Sequence, residues 1–583
     1  PLEVICDPAL YPLPSSSSKT TPDVDGDGFN DAAEYAAAMY AAKMNQANHC
    51  PNDKAQCFYV IDPASPEIKP TLLSKAEQLI CDDAYGVENV FDFYFELPYQ
   101  GNATDKILGF KPSVSKLDVV INLDVTGSMQ GEIDNLKTNL VKTIIPQVKA
   151  RVSDSAFGIS AFADFPVNLL ADKDKKHDPN AIRYGYPVPR TTYQADRPWI
   201  LLSPVTSLQN KLSAAVTKYA LTDGMDYPES GYESLWQIAY ADKATAQTQT
   251  QYAEMNLSGN YGTTIKSWKT LDIVTNDADH WGGASFRKGS LPVVVHITDA
   301  PSHGSTTATT IDTTGKLKSY IYNQGYIKNA HTDANVHAVY KERGIRLLTV
   351  YRRSASDATA NADGEGVVAG AQHPVLLNSS LKTSAVVPVC AFKKDATQWS
   401  CGENRCCTVT STEASVAPTS NNECVLSYGI TDGTKLSTTI VDGIDALVKY
   451  GTYDVATRII RDPANTDVDT SCFIKRVEAK RYVEPPQEPA ASCNPTATAT
   501  RFEGAQYDNG FENFATGTSS AQVQGAQLEF TISAQNDTCV KPTPESQTFM
   551  AYIELYDPTT GLVLGKRQVY IIVPGETDTT VIN

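Results

Sequence analysis

Between residues 111 and 475, short apolar runs alternate with amphipathic stretches, a pattern that predicts strand followed by helix, repeated. Leu117-Asp118-Val119-Val120-Ile121-Asn122-Leu123 is the first clear strand. Behind it Ile133, Leu136, Leu140, Ile144 and Val148 recur near helical spacing, with Pro146 expected to kink the last turn. Further strands are expected over 156–163, 199–202, 293–298, 345–351 and 453–460, and helices over 208–219, 230–241, 331–343 and 434–450. Val293 to Thr298 is almost unbroken in its apolar character, as a strand in the middle of a parallel sheet must be. Gly344 is placed to end one helix and Asp432 to cap another, whose buried face reads Leu436, Ile440, Ile444, Leu447. The alternation predicts an α/β fold with a doubly wound, mostly parallel sheet. Three polar stretches, near 165–198, 242–290 and 353–425, read as long insertions in it.

The flanks follow other patterns. Residues 1–110 form a cysteine-bearing region with a Pro/Ser tether at 12–22, helices expected near 32–45 and 72–81, and an alternating strand at 91–97. Residues 476–583 begin with a Pro-rich linker, 484–492. Strands follow at 526–533, 548–556 and 563–573, with a hairpin turn from Asp557 to Gly561, so a small β-sandwich is expected there.

Composition narrows the partners. The 583 residues carry a net charge of −18 and no basic run, which disfavours nucleic acid and anionic membrane surfaces and suits divalent cations. No apolar run reaches the roughly 18 residues of a membrane span. The chain opens at Pro1 without an apolar leader, and we read it as a mature form from which a targeting segment has been removed. Twelve cysteines, Cys6, Cys50, Cys57, Cys81, Cys390, Cys401, Cys406, Cys407, Cys424, Cys472, Cys493 and Cys539, stand mostly in loop-like sequence. An even number so placed predicts disulfides and a secreted or cell-surface, extracellular location. The first four are expected to pair among themselves, and Cys493 is expected to pair with Cys539.

Two oxygen-rich constellations carry the candidate chemistry. Asp23-Val24-Asp25-Gly26-Asp27-Gly28-Phe29-Asn30-Asp31-Ala32-Ala33-Glu34 matches the twelve-residue calcium loop at each ligand position. Asp23, Asp25, Asp27, Asp31 and Glu34 offer carboxylates and Phe29 its carbonyl. Prolines at 12, 14 and 22 forbid the helix that precedes such a loop in a paired EF-hand. The loop therefore resembles the lone loops of dockerin and thrombospondin-type modules, which implies a structural clamp.

The second constellation is Asp124-Val125-Thr126-Gly127-Ser128, set between the first strand and its helix. It places a carboxylate and two hydroxyls on one rim, a hard-cation donor set suited to Mg²⁺ or Mn²⁺. Asp299 follows the strand 293–298, and Thr222-Asp223-Gly224-Met225-Asp226-Tyr227-Pro228-Glu229-Ser230 precedes a helix between them. In a doubly wound sheet such loops converge beyond the carboxyl ends of the strands.

Together these motifs resemble a von Willebrand factor A (VWA) domain over about 365 residues. The resemblance implies a metal-ion-dependent adhesion site with Asp124, Thr126, Ser128 and Asp299 as ligands. In the middle loop, Asp226-Tyr227-Pro228-Glu229 is similar to the version in integrin β subunits, which would make Glu229 a ligand; Thr222 is the alternative, with Asp226 nearby. The adjacent second metal site of integrin β subunits needs two acidic residues where this chain has Gly131 and Glu132. The partner implied is a protein or surface group presenting a carboxylate. The sequence also allows a structural subunit of a surface filament, sheath or fibre that self-assembles. No His-Glu-x-x-His, phosphate-cradling or nucleophile-elbow motif is present, so an enzyme is not expected.

Overall fold

A computed structural model describes residues 94–575 except 111, 170–181, 187–188, 190–192, 225–227, 241–253, 256–273, 306–309, 312–316, 319–321, 323–326, 353–373, 393–399, 409–414, 432, 484–497, 500–502, 505–506, 509, 516–526 and 545. The calcium loop at 23–34, the first four cysteines, Cys493, Asp226 and Asp432 lie outside the described residues.

In chain order the main elements begin with strands β1 (Tyr94–Glu96) and β2 (Thr104–Phe110). The α/β portion follows with β3 (Lys116–Asp124), helix α1 (Gln130–Asn139), β4 (Asp154–Phe162), β5 (Ile200–Thr206), α2 (Gln209–Val216) and α3 (Gly231–Tyr240). It continues through β6 (Leu291–Thr298), α4 (Asp333–Arg343), β7 (Arg346–Arg352), α5 (Pro374–Lys382), β8 (Ser427–Ile430) and α6 (Leu436–Tyr450). Then come β9 (Thr452–Arg461), β10 (Ile474–Val483), β11 (Gly510–Ala515), β12 (Gln527–Ala534), β13 (Gln547–Tyr556) and β14 (Val563–Val573).

One sheet has the order β8-β7-β6-β3-β4-β5. Its pairs are parallel from β8 through to β4, and β5 closes the edge antiparallel to β4. Successive side chains of a strand point to opposite faces. Val119, Ile121 and Leu123 join a cluster with Ile133, Leu136, Leu140, Ile144, Leu212, Ile440 and Ile444, so α1, α2 and α6 cover that face. Val120 and Val294 join Tyr232, Leu235, Trp236, Val336 and Tyr340 from α3 and α4 on the other. The row from Ile133 to Val148 stays buried because a π-turn, Leu140–Ile144, follows α1 and leads into a helical turn, Ile145–Lys149, that holds Pro146 near its start. α4 ends where Gly344 takes φ +67°, a left-handed conformation that glycine adopts without strain.

The strand at 452–461 departs from the expectation. It does not close the parallel sheet; β9 pairs antiparallel with β11 and β13 in a second sheet of order β1-β14-β13-β9-β11 and residues 498–499. Burial shows why. β6 is buried at all eight positions, whereas β9 alternates, with Tyr453 and Val455 inside and Asp454 outside, as in a sheet with one wet face. A third sheet, β2-β12-β10, completes the all-β part. The strands expected to form a sandwich within 476–583 thus pair with strands from 94–110 and 452–483. Their partners are distant in sequence, and periodicity within one segment does not reveal them.

Cys401 bonds Cys407, Cys406 bonds Cys424, and Cys390 is also disulfide-bonded. Cys539 pairs with Cys472 and not with Cys493. The register explains it: Ile474 lies opposite Ala534, which brings the ends of β10 and β12, and the cysteines just beyond them, together.

Candidate cation site

β3 and β6 are parallel neighbours with Leu123 opposite Ile297, so Asp124 and Asp299 leave the sheet at the same end. Asp124 is fully buried. One of its oxygens accepts the Thr126 amide (2.9 Å) and hydroxyl (2.8 Å), which folds the first loop over the strand end. The other accepts the Thr298 hydroxyl (2.7 Å). Ser128, exposed at the rim, donates its hydroxyl to Asp299 Oδ1 (3.0 Å). Burial, and then the Asp299 charge, push the Asp124 carboxyl up to about 7. Burial also raises Asp299, against the opposing pull of Ser128 and Arg352.

A buried carboxylate with a second, partly buried one near it and hydroxyls around them fits a divalent cation: the ion would offset the desolvation of both and the Asp299 charge that raises Asp124. Among the described residues no group of three or more His, Cys, Asp or Glu is set to hold a metal ion. The donor set therefore rests on Asp124, Asp299 and hydroxyls.

The middle loop is built against this pair. Glu229 forms a parallel bridge with Ser302; its N–H donates to the Pro301 carbonyl (2.9 Å) and its own carbonyl accepts the His303 N–H (2.7 Å). Gly224, at φ +64°, leaves a space bordered by Glu229 and Thr126: a Cβ there would lie 3.0 Å from Glu229 Oε1 and 3.4 Å from the Thr126 methyl group. The Thr222 hydroxyl turns to the Val125 carbonyl (3.4 Å) and to Asp196.

Several contributors were not singled out from sequence. Asp196, at the end of the first insertion, accepts the Gly224 N–H (3.2 Å) and the Tyr186 N–H (2.6 Å), and burial lifts its carboxyl to about 6. Below the loop, Asp164 accepts from Ser230 (2.7 Å) and Tyr322 (2.5 Å) and lies 3.3 Å from His303 Nε2. Arg352, the last residue of β7, donates to the Ser128 carbonyl (2.7 Å) and to Asp299 Oδ2 (3.1 Å). Thr298 and Arg352 each had a sequence signal, a polar residue closing an apolar strand; Asp196 and Asp164 had none. His296 is a core residue: buried, stacked on Phe162 at 4.8 Å, and 3.1 Å from Asn122, with its imidazole pushed down to about 3 by burial.

No family model and no curated protein matches the chain. Solved structures similar to it include a von Willebrand factor type A protein from Catenulispora acidiphila, at 10% identity and a TM-score of 0.26 over 84% of this chain and 74% of that one. The pilus adhesin SpaC from Lactobacillus rhamnosus GG, in its open conformation, is 12% identical with a TM-score of 0.26, over 82% of this chain and 45% of the adhesin. Proximal thread matrix protein 1 from the mussel byssus is 8% identical with a TM-score of 0.23, over 58% of this chain and 48% of that one. Likenesses this distant carry no weight for the site, which stands on this chain's own residues.

Proposed function

We propose that the chain is an extracellular binding protein of the VWA type whose Mg²⁺ or Mn²⁺, held by Asp124, Thr126, Ser128 and Asp299, is completed by a carboxylate of its partner. The observation that carries this is the fully buried Asp124 and the partly buried Asp299, brought with hydroxyl groups to the carboxyl ends of two parallel strands. The ion would supply a fixed positive charge with room for one outside oxygen. Asp124 and Thr126 shape the loop, Ser128 stands at the rim, and Glu229 borders the space beside Thr126 that Gly224 leaves open. The calcium loop at 23–34 clamps the N-terminal region in this reading, and the disulfides support an extracellular setting. Among the described residues no helix is long and apolar enough to cross a membrane.

The test is binding of the purified chain to the cell or matrix surface of its source in Mg²⁺, in EDTA, and as Ser128→Ala in Mg²⁺, with calcium constant in both Mg²⁺ arms. We expect at least tenfold weaker binding in EDTA and in the variant. Loss in EDTA alone would place the cation dependence at the calcium loop. Loss in neither would overturn the proposal and favour a structural subunit of a filament or sheath.

A further inference from the structure

The cation site already contains a cation. β7 lies beside β6 with Thr298 opposite Tyr351, so the next residue along, Arg352, arrives at the level of Asp299. One nitrogen, Nη1, bonds both the Ser128 carbonyl (2.7 Å) and Asp299 Oδ2 (3.1 Å). Nε stands 3.4 Å from Oε1 of Glu132, whose side chain is fully buried in the first turn of α1. The guanidinium thus ties three separate pieces: the first loop, the end of β6 and the start of α1. Asp299 has one oxygen held by Ser128 and the other by Arg352.

We propose that Arg352 is the resident counter-cation of the site: it holds the Ser128 loop against Asp299 and sets how tightly a divalent ion binds. This rests on the cation-site reading above. A fixed positive charge touching a ligand carboxylate repels an incoming ion. Glu132, on the far side of the guanidinium, partly offsets that repulsion. Arg352 is a positioning residue here, not a ligand.

The roles of the two charges have opposite signs, which makes them testable. Mn²⁺ is titrated calorimetrically into the full chain, with calcium saturating, for wild type, Arg352→Gln, Glu132→Gln and the double variant. Arg352→Gln should bind Mn²⁺ roughly tenfold more tightly, the size of a charge term at about 6 Å screened as in water. Glu132→Gln should bind it several-fold more weakly, and the double variant should return close to wild type. Arg352→Lys, which keeps the charge, should stay within about threefold of wild type on the same reasoning. In EDTA the thermal midpoint of Arg352→Gln should fall, because the Ser128 carbonyl loses its donor and the buried Glu132 loses the Arg352 charge beside it.

Should Arg352→Gln fail to fold, the comparison is made within the Glu132→Gln background, where that buried carboxylate is absent, and the same tightening is expected. No Mn²⁺ binding by wild type would overturn the site reading itself. Binding by wild type with unchanged or weaker binding on loss of Arg352, in both backgrounds, would overturn this inference alone.

Discussion

Mn²⁺ should stabilise the chain far more at pH 8 than at pH 5.5. The Asp124 carboxyl sits at about 7 in the folded chain, against 3.8 for an ordinary aspartate. A raised acid binds its proton more tightly in the folded state than in the unfolded one. Its contribution to stability is therefore fully present below pH 4 and is lost as pH rises through 7, leaving a buried ionised carboxylate. A divalent ion requires that ionised form. At pH 8 it binds without displacing a proton; at pH 5.5 it must displace one, which weakens binding by roughly 30-fold, tenfold for each pH unit below 7. Asp299, also raised, acts in the same direction. The check is the thermal midpoint with Mn²⁺ and saturating calcium minus that in saturating calcium alone, at both pH values. The increment should grow with pH in wild type and be near zero at both values in Asp299→Ala. An increment independent of pH would contradict the account.

Arg287→Ala should be the most destabilising single change among those considered, by about 3–5 kcal/mol. Asp118 is fully buried at the start of β3, at the end of the sheet opposite the cation site. It accepts the Arg287 backbone N–H (2.7 Å), Arg287 Nε (2.7 Å) and the Ser290 hydroxyl (2.9 Å). The same guanidinium also reaches Asp154 and the Leu117 carbonyl. Removing it strands a carboxylate that burial already pushes upward. A fall of roughly 10 °C in thermal midpoint is expected at 2–4 °C per kcal/mol. Arg287→Ala with Asp118→Asn should recover most of it, because no buried charge is then left unpaired. Mn²⁺ affinity should be unchanged in both variants. A fall of less than 2 °C would show that the pair is solvated and adds little.

The first loop was legible because everything it needs is local: an apolar strand, then Asp, Thr and Ser at alternate positions, then a helix. Asp299 was legible for the same reason, as a carboxylate closing an unbroken apolar strand. What the sequence could not show is who stands beside whom. Arg352 reaches Ser128 only because β7 lies beside β6 and β6 beside β3, and 224 residues separate the two. Asp196 props the middle loop from the end of an insertion that has no periodic pattern. β9 was assigned to the wrong sheet although its own alternation marked it as half-exposed. The described end of the second insertion, 274–290, lies away from the cation site: Arg287 there binds Asp118 at the far end of β3.

The central claim is that Asp124 holds a divalent ion. Its most direct test is a Mn²⁺ titration of the full chain at pH 8, with calcium saturating so that the loop at 23–34 stays filled, comparing wild type with Asp124→Asn. The account predicts one site in wild type that weakens at least a hundredfold in the variant, while the variant is at least as heat-stable as wild type in EDTA, having lost a buried charge. Equal stoichiometry and affinity in the two chains would contradict it.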